Sequence, residues 1–285
     1  MKYTFMAAHE TQFQIKRMCR MLSVKRSGYY AWRKRAPSTR EQANQALLGL
    51  IAAEHQHSRK TYGSPRVYVV LRRKGVACGR NRVARLMRSR GIAALARRKY
   101  RPVTTQRQPG ALPAPNRLKQ DFSATAPNQK WVSDFTYIET GEGWLYLAVV
   151  LDLFSRKVIG WSMSQNMDTA LVVTALRMAL RERRPPAGLL HHSDQGSQYT
   201  SAAYRSCLNA ALAQLSMSGA GNCYDNAVVE SFFGTLKTEC VTGPFRTCAL
   251  ARTTIFEYLE VWYNRQRLHS TLGYHSPVDF ENLTL

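Results

Sequence analysis

The sequence lacks the features that mark secreted and membrane proteins. Its six cysteines lie far apart and form no C-x-x-C pair, so neither a disulfide framework nor a zinc module is expected. No signal peptide is recognisable at the N-terminus. The longest mainly apolar run, residues 144–153, is about half of the ~20 residues that span a bilayer, and it contains an aspartate. We therefore expect a cytoplasmic protein with reduced thiols and no membrane segment.

Acidic residues are scarce in the N-terminal half of the chain. Residues 1–120 contain 28 Lys and Arg but 3 Asp and Glu, a net charge of +25, whereas residues 121–285 contain 13 and 15, a net charge of −2. A charge this one-sided exceeds what solubility requires and indicates polyanion binding. A ribosome or an anionic membrane surface would also attract it, but the basic residues are interleaved with apolar ones, as on the faces of folded helices.

The basic half is expected to be helical over residues 1–95. Apolar residues recur at helical spacing over residues 12–22, and Ser27 can cap a second helix that continues through Trp32. Two short helices joined by a tight turn, with basic residues around it, favour a helix-turn-helix. A basic helical hairpin without a specific role has the same pattern, so this alternative stays open.

A second pair of helices is predicted more clearly. Ser64 is a natural N-cap and Pro65 suits the first position of a helix. The next helix is predicted over residues 80–90, where Arg82 and Arg85 share one face. That face suits DNA phosphates or a groove.

Residues 96–128 are predicted to be a linker that is basic at its start. Helical periodicity ends there, and five prolines follow, at positions 102, 109, 113, 115 and 127. A long stretch without periodicity is uncommon inside one compact domain, so we expect two separate bodies, one on each side of it.

Residues 129–285 have the pattern of an α/β domain. Strands are predicted at residues 131–138, 144–151 and 157–163, then a helix at 169–183, a strand at 188–192, a helix at 201–209 and a strand at 212–217. Three successive strands suggest a meander, and the alternation that follows favours a mixed sheet of five strands.

Three carboxylates in this half occur in distinctive local sequences. Asp134 lies in WVSDFTYI, Asp194 in HSDQGSQY and Glu230 in DNAVVESFF, with 35 residues between the second and the third. A strand centre, a strand end and a helix can bring such groups together, and ligation by oxygen alone selects Mg²⁺ or Mn²⁺. Two such ions would support phosphoryl transfer on DNA without a covalent protein nucleophile.

Other polar residues near these carboxylates have competing interpretations. Spacing alone proves little among 15 acids in 165 residues, and Asp152 is expected to cap a turn or pair with Arg156. His192 is more readily explained as a hydrogen-bonded structural residue than as a metal ligand. Lys237 lies two turns after Glu230 on the same helical side, where it would meet phosphate. Gln198 would line a DNA channel, although turn packing explains it nearly as well.

Several of these motifs occur in an order that resembles a known family. Residues 131–138, 192–201 and 225–237, followed by YNRQRLHSTLGYHSP at 263–277, are similar to the second-frame (OrfB) transposases of bacterial insertion sequences, relatives of retroviral integrase. Residues 62–67 through 82–91 are similar to the second helix-turn-helix segment of that family. The resemblance therefore covers nearly the whole chain.

The resemblance implies a ribonuclease-H-like core at residues 129–285 with a C-terminal helical extension. It implies a D-D-E triad at Asp134, Asp194 and Glu230 that holds two Mg²⁺ or Mn²⁺ ions, with Lys237 as the DNA-contacting lysine. The side chains that we expect to contact DNA are Lys237, Arg66, Arg82, Arg85, Gln198 and Arg267.

The same resemblance implies an activity and partners. The activity is DNA strand cleavage at the ends of an insertion sequence, followed by strand transfer through attack of the 3′-hydroxyl. The partners are double-stranded DNA, as terminal inverted repeats and as target, and further copies of the chain in a homo-oligomer on DNA. An upstream-frame (OrfA) protein is a further partner, either fused to this chain or acting with it, and the location is the cytoplasm at the nucleoid. Two alternatives stay open: a structure-selective nuclease with the same core, and a DNA-binding regulator whose triad is vestigial.

Overall fold

The basic half of the chain is helical, as predicted. The computed structural model describes residues 1–95, 114–219 and 223–284, leaving aside the side chains of residues 223 and 224. The helices of this half are α1 Lys2–Ala8, α2 Ile15–Met21, α3 Arg26–Lys34, α4 Thr39–His57, α5 Ser64–Arg73 and α6 Arg80–Ser89. The first part of the predicted linker, residues 96–113, lies outside the described residues.

Helices α1 to α3 form a unit with a small core of their own. The buried members of this core are Met6, Met18, Cys19 and Tyr29. Glu10 fastens the unit from outside, because it accepts a hydrogen bond from the Tyr29 hydroxyl at 3.0 Å and pairs with Arg33 at 2.6 Å.

The N-termini of α3 and α5 differ slightly from prediction. Helix α3 begins at Arg26 after Lys25 in extended conformation, so Ser27 lies inside the helix and does not cap it. Helix α5 begins at Ser64, and Gly63 is its N-cap, with proline in the first turn as predicted. At both positions the extended backbone of the preceding residue starts the helix without a side-chain hydrogen bond.

Helices α4 to α6 pack against the C-terminal half instead of forming a separate body. Their buried residues, among them Ile51 and Leu71, belong to one hydrophobic cluster with residues of the sheet and the C-terminal helices. Arg59 pairs with Glu257 at 2.6 Å, and the Tyr62 hydroxyl donates to the carbonyl of Gln266 at 3.2 Å. The expectation of two separate bodies is therefore wrong for this part of the chain, since apolar packing joins it to the α/β half.

Residues 114–128, the second part of the predicted linker, also lie on the α/β half. Leu118 is buried, and the backbone N–H groups of Arg117 and Leu118 donate to the Ser216 hydroxyl at 2.9 and 3.2 Å. This stretch therefore lies against Ser216 on the last strand of the chain, which forms one edge of the sheet.

The C-terminal half contains the mixed five-stranded sheet that was predicted. Its strands are β1 Lys130–Thr140, β2 Gly143–Asp152, β3 Val158–Ser164, β4 Leu190–Ser193 and β5 Gln214–Met217. The strand order is β3-β2-β1-β4-β5, with the first three strands antiparallel and β1, β4 and β5 parallel. Strand β1 is therefore central and has a different type of neighbour on each side.

Helices cover both faces of the sheet. On one face lie α7 Thr169–Arg183, α8 Ser197–Thr200 and α9 Ala202–Ala210. The other face carries α10 Ala227–Glu239, α11 Cys248–Glu257 and the π-helical turn Tyr258–Tyr263. Gly160 allows α7 to approach β3, since a Cβ at this position would collide with the backbone of Ala175. The chain then continues through the 3₁₀ turn Ser270–Leu272 to α12 Pro277–Thr284.

Among the helices of residues 1–95, 114–219 and 223–284, none is both long and apolar enough to cross a membrane.

Candidate active site

Asp134 lies on the central strand of the sheet. It is paired with Val149 of β2, and its Oδ1 accepts a hydrogen bond from the backbone N–H of Phe135 at 2.8 Å. The carboxylate is half-buried. Burial, followed by the negative charges of Asp194 and Glu230, raises the pKa of Asp134 well above its usual value, against the opposing effect of Lys237.

Asp194 directly follows β4, the parallel neighbour of β1. Its Oδ1 accepts a hydrogen bond from the backbone N–H of Gly196 at 2.9 Å, which fixes the carboxylate at the turn into α8. A Cβ at position 196 would lie 3.0 Å from the same oxygen, so the turn favours glycine there. Strand β4 ends beside the middle of β1, since Lys130–Val132 pair in parallel with Leu190–His192, and this register brings the two acids to one place.

Glu230 lies in the first turn of α10 and is exposed to solvent. The opposite side of this helix is buried in the core through Val229, Phe233 and Leu236, as predicted. The start of α10 is fixed by buried Asp225, which accepts hydrogen bonds from Asn116 Nδ2 at 2.8 Å and from the backbone N–H of Gly219 at 2.9 Å. Sequence reasoning missed the bond between Asp225 and Asn116, since the two residues are 109 positions apart.

The charges of Asp194 and Glu230 both act on Asp134, but the three acids do not form a complete metal-binding arrangement. Within residues 1–95, 114–219 and 223–284, no three His, Cys, Asp or Glu side chains lie in an arrangement that could hold one metal ion. The donors themselves nevertheless suit a hard cation, because all are carboxylate oxygens and their mutual repulsion raises the pKa of Asp134. A divalent cation would neutralise that repulsion.

Lys237 lies on α10, two turns after Glu230, and its charge interacts with that of Asp134. Its ammonium is 4.5 Å from the centroid of the Tyr137 ring. Burial lowers the pKa of Lys237, while the charge of Asp134 acts in the opposite direction. Lys237 and Asp134 therefore lie close enough for their charges to interact, and contact of Lys237 with DNA phosphate stays a prediction.

The histidines beside Asp194 are hydrogen-bonded residues of the protein interior, as expected. His192 contacts the hydroxyls of Ser216 and Ser218 at 2.8 and 3.1 Å, and His191 contacts those of Ser133 and Tyr204 at 3.0 and 3.2 Å. Burial lowers the pKa of His191 to about 3 and that of His192 to about 4. Both rings are therefore neutral at physiological pH.

Asp152 is a structural residue, also as expected. Its carboxylate accepts hydrogen bonds from the backbone N–H groups of Phe154 at 2.9 Å and Asn128 at 2.8 Å, so it caps the turn after β2. Its side-chain ion pair is with Arg183, at 3.4 Å, and not with Arg156.

Arg267 has an internal partner, contrary to the expectation that it contacts DNA. Its guanidinium is buried and donates to both carboxylate oxygens of Glu239, at 2.8 to 3.0 Å. The same carboxylate accepts from the Tyr258 hydroxyl at 3.0 Å and Trp262 Nε1 at 3.3 Å. Glu239 is the last residue of α10, so this cluster fixes the end of the helix that carries Glu230. A motif cannot reveal a partner 28 residues away.

Gln198 is likewise occupied inside the protein. It is 8% exposed and its Nε2 donates to the carbonyl of Met167 at 3.2 Å, which connects α8 to the segment before α7. This is the turn packing that the sequence left open as the alternative to a DNA contact.

The remaining arginines differ in exposure. Arg66 is half-buried and donates to the carbonyl of Leu268 at 2.9 Å. Arg82 is half-buried and donates to Asn44, whereas Arg85 is exposed. DNA contacts by these residues stay predictions.

Comparisons with known proteins agree with this architecture. Models of the integrase core domain match residues 124–223 and 230–285, and an HTH-like domain model matches residues 42–100. The chain is 47% identical to "Transposase InsF for insertion sequence IS3A" of Escherichia coli (strain K12) over 288 aligned residues, covering 100% of both chains. This chain belongs to the IS3-family transposases.

Other relatives extend the comparison of this IS3-family transposase. It is 46% identical over 265 residues to an uncharacterised 31 kDa protein of insertion element IS600 from Shigella sonnei, covering 92% of this chain and 97% of that one. A solved structure of the HTLV-2 integrase catalytic core with magnesium is 17% identical and covers 56% of this chain and 99% of that one, with a TM-score of 0.43. As an IS3-family transposase the protein is a polynucleotidyl transferase with an integrase core and an HTH-like region.

Proposed function

We propose that this transposase cleaves DNA strands at the ends of its own insertion sequence and joins the freed 3′-hydroxyls to target DNA. The observation that supports this most strongly is the position of three acids in the fold: Asp134 on the central strand, Asp194 directly after the parallel neighbour β4, and Glu230 in the first turn of α10. Burial and the charges of the other two acids raise the pKa of Asp134. Three acids that repel one another, at the middle of β1, the end of β4 and the start of α10, are costly unless a cation is bound.

Asp134, Asp194 and Glu230 would hold the ions in this proposal, two Mg²⁺ or Mn²⁺ per site. Bound to these oxygens, such ions would polarise the attacking hydroxyl and stabilise the departing 3′ oxygen at phosphorus. Lys237 orients the DNA strand, because its ammonium beside Asp134 attracts a phosphate adjacent to the reacting one.

The basic helices hold the substrate in this proposal. Arg85 is exposed on α6, with Arg82 on the same helix and Arg66 on α5, so these arginines are the candidates for phosphate contacts. The substrates are the terminal inverted repeats and a target duplex, in the bacterial cytoplasm at the nucleoid. A second copy of the chain and an upstream-frame OrfA protein complete the assembly on DNA.

Incubation with labelled element-end DNA and Mg²⁺ tests the reaction. We expect cleaved ends and products joined to target DNA. Cleavage without joining would instead indicate a nuclease, and binding that is independent of metal, without cleavage, would indicate a regulator. Either result contradicts the proposal.

The salt dependence of DNA binding tests the role of the basic half. We expect affinity to fall steeply with salt, since log K falls by about 0.9 per neutralised phosphate for each log unit of salt. Arg85→Ala should reduce the measured slope by about one such contact. Arg181→Ala, at an exposed arginine of the near-neutral half that pairs with Glu182, is the matched control and should leave the slope unchanged. A complex insensitive to salt would contradict the assignment.

A further inference from the structure

An exposed aromatic pair lies at the hairpin between β1 and β2. Trp144 is 48% exposed, and its ring meets that of Tyr137 edge to face, with centroids 5.1 Å apart and planes at 87°. Trp144 is paired with Glu139 across the hairpin, so Tyr137, two residues away from that partner, is its diagonal neighbour on the same face. Tyr137 thereby holds one edge of the indole while much of the ring remains accessible.

Lys237 connects this pair to the acidic centre. Its ammonium lies 4.5 Å from the centroid of the Tyr137 ring, and its pKa responds to the charge of Asp134. Tyr137 follows Asp134 by three residues on β1, which is about 10 Å along a strand, and this odd spacing starts the two side chains on opposite faces. The ammonium of Lys237, which contacts the Tyr137 ring and interacts with the charge of Asp134, therefore connects the indole to the acidic centre over a distance that a few nucleotides of DNA would cover.

We propose that Trp144, supported by Tyr137, stacks on one unpaired nucleobase of the DNA strand whose phosphate lies at Lys237. The proposal rests on the proposed function, because it takes the acidic centre as the place of the reacting phosphate. Aromatic side chains stack on bases of any sequence, since every base has a π face. Bases inside a duplex have both faces covered, so the ring selects a nucleotide that has left the stack. Near the reacting bond, such a site would hold the strand end in a fixed position.

The charge beside the pair favours DNA over a protein partner. A protein surface docked on Trp144 would also cover the Lys237 ammonium, for which a DNA phosphate is the complementary group. Self-association through Trp144 is the competing occupant, and the experiment distinguishes it.

The chain offers a matched control pair on the far edge of the sheet. Phe256 of α11 is 49% exposed and meets Trp161 of β3 edge to face, with centroids 5.8 Å apart and planes at 69°. Strand β3 is separated from β1 by β2. Phe256→Ala therefore removes a similar exposed ring that lies away from the acidic centre.

The test combines Trp144→Ala with abasic nucleotides placed one at a time in element-end DNA near the cleaved bond. Affinity is measured without divalent metal, so that cleavage is not required. We expect Trp144→Ala to weaken binding to intact DNA about tenfold, Trp144→Phe to weaken it less, and Phe256→Ala to leave it unchanged. For the wild-type protein, removing the base at one position should weaken binding as much as Trp144→Ala does on intact DNA. On DNA that is abasic at that position, Trp144→Ala should cause no further loss.

Several results would overturn the stacking site. The first is an unchanged affinity of Trp144→Ala for intact DNA. The second is that, at every abasic position, Trp144→Ala weakens binding by the same factor as it does on intact DNA. The third is that Trp144→Ala changes the mass of the DNA-free protein in solution relative to the wild type, which would identify self-association. If Trp144→Ala unfolds at the same temperature as the wild type, its loss of affinity is not due to misfolding. If it unfolds at a lower temperature, the comparison is made with Trp144→Phe, which retains an aromatic ring. If Trp144→Ala causes no further loss at one abasic position but the wild-type protein does not cleave DNA in Mg²⁺, the proposed function alone is rejected. If the protein cleaves DNA but Trp144→Ala causes a further loss at every abasic position, the stacking site alone is rejected.

Discussion

Two acidic centres lie on the same sheet and differ in how their charges are balanced. Around Asp152, Glu281 accepts from the Ser155 hydroxyl at 2.8 Å and pairs with Arg183 at 2.7 Å and Lys157 at 3.1 Å. Around Asp134, the neighbouring acids Asp194 and Glu230 add negative charge. The first centre is completed by the chain's own cations, whereas the second has an excess of negative charge.

The pKa values follow this difference. Burial raises the pKa of Asp152, but backbone N–H groups and Arg183 act against it. Burial also acts to raise the pKa of Glu281, yet hydrogen bonds from Arg183 and its charge leave that pKa lowered. At Asp134, burial and both neighbouring acids act in the same direction. Burial alone thus does not identify a functional acid; the sign of its neighbours does.

Asp134→Asn should have the largest effect on activity. We expect strand cleavage and joining to fall at least about a thousandfold, the scale for loss of a principal electrostatic stabiliser, with DNA binding retained. In metal-free protein the same change should raise the melting temperature, because it removes a charge that the fold disfavours. Asp121→Asn, at an exposed acid that pairs with Lys130, is the control in both assays. DNA cleavage by Asp134→Asn would contradict the assignment of the second acidic centre as the functional one.

Arg183→Met should have the largest effect on stability. It leaves Asp152 and Glu281 buried without their shared guanidinium, and we expect the free energy of unfolding to fall by about 3–5 kcal/mol. Arg181→Met, on the same helix but with an exposed ion pair to Glu182, should change it by less than about 1 kcal/mol. Urea unfolding measures both values. Equal stabilities would mean that the cations of the first centre are dispensable.

Acid should destabilise the protein through the histidines that support the second centre. Burial lowers the pKa of His191 to about 3 and that of His192 to about 4, from 6.5, so the unfolded chain binds their protons first. Stability is complete above pH 6.5 and should fall as the pH drops towards 4, by up to about 1.4 kcal/mol per pH unit for each histidine. His191→Gln should reduce this slope in thermal unfolding between pH 6.5 and 4, while His57→Gln, at an exposed position, should not. An unchanged slope in His191→Gln would be inconsistent with the assignment.

Divalent metal should produce the smallest effect. Mg²⁺ or Mn²⁺ at ten times its Kd should stabilise the wild-type protein by about 1.4 kcal/mol, since it binds the folded state. Chelation should reverse the shift in melting temperature. Asp121→Asn should respond like the wild type and Asp134→Asn should respond less. An equal response in both variants would indicate that the ion binds elsewhere.

The sequence predicted local features better than distant contacts. Helix α7 was expected at its observed bounds, because its apolar periodicity and the prolines after it are local signals. The turn-capping role of Asp152 was also accessible from its neighbours in the chain. The ion pair of Arg267 was missed, since its partner Glu239 lies 28 residues earlier, at the end of α10. The packing of α4 to α6 on the α/β half was missed for the same reason: a gap in periodicity does not show what packs across it.

The first acidic centre also sets an order of events in synthesis. Ser155 and Lys157, just after β2, bind a carboxylate on α12 that follows Ser155 by 126 residues. Chains leave the ribosome N-terminus first, so the meander emerges long before Glu281 does. Until α12 arrives, Arg183 can contact Asp152 and Asn128 but lacks Glu281. The sheet therefore reaches its final stability only after α12 has been made, and a nascent chain that ends before α12 lacks these ion pairs.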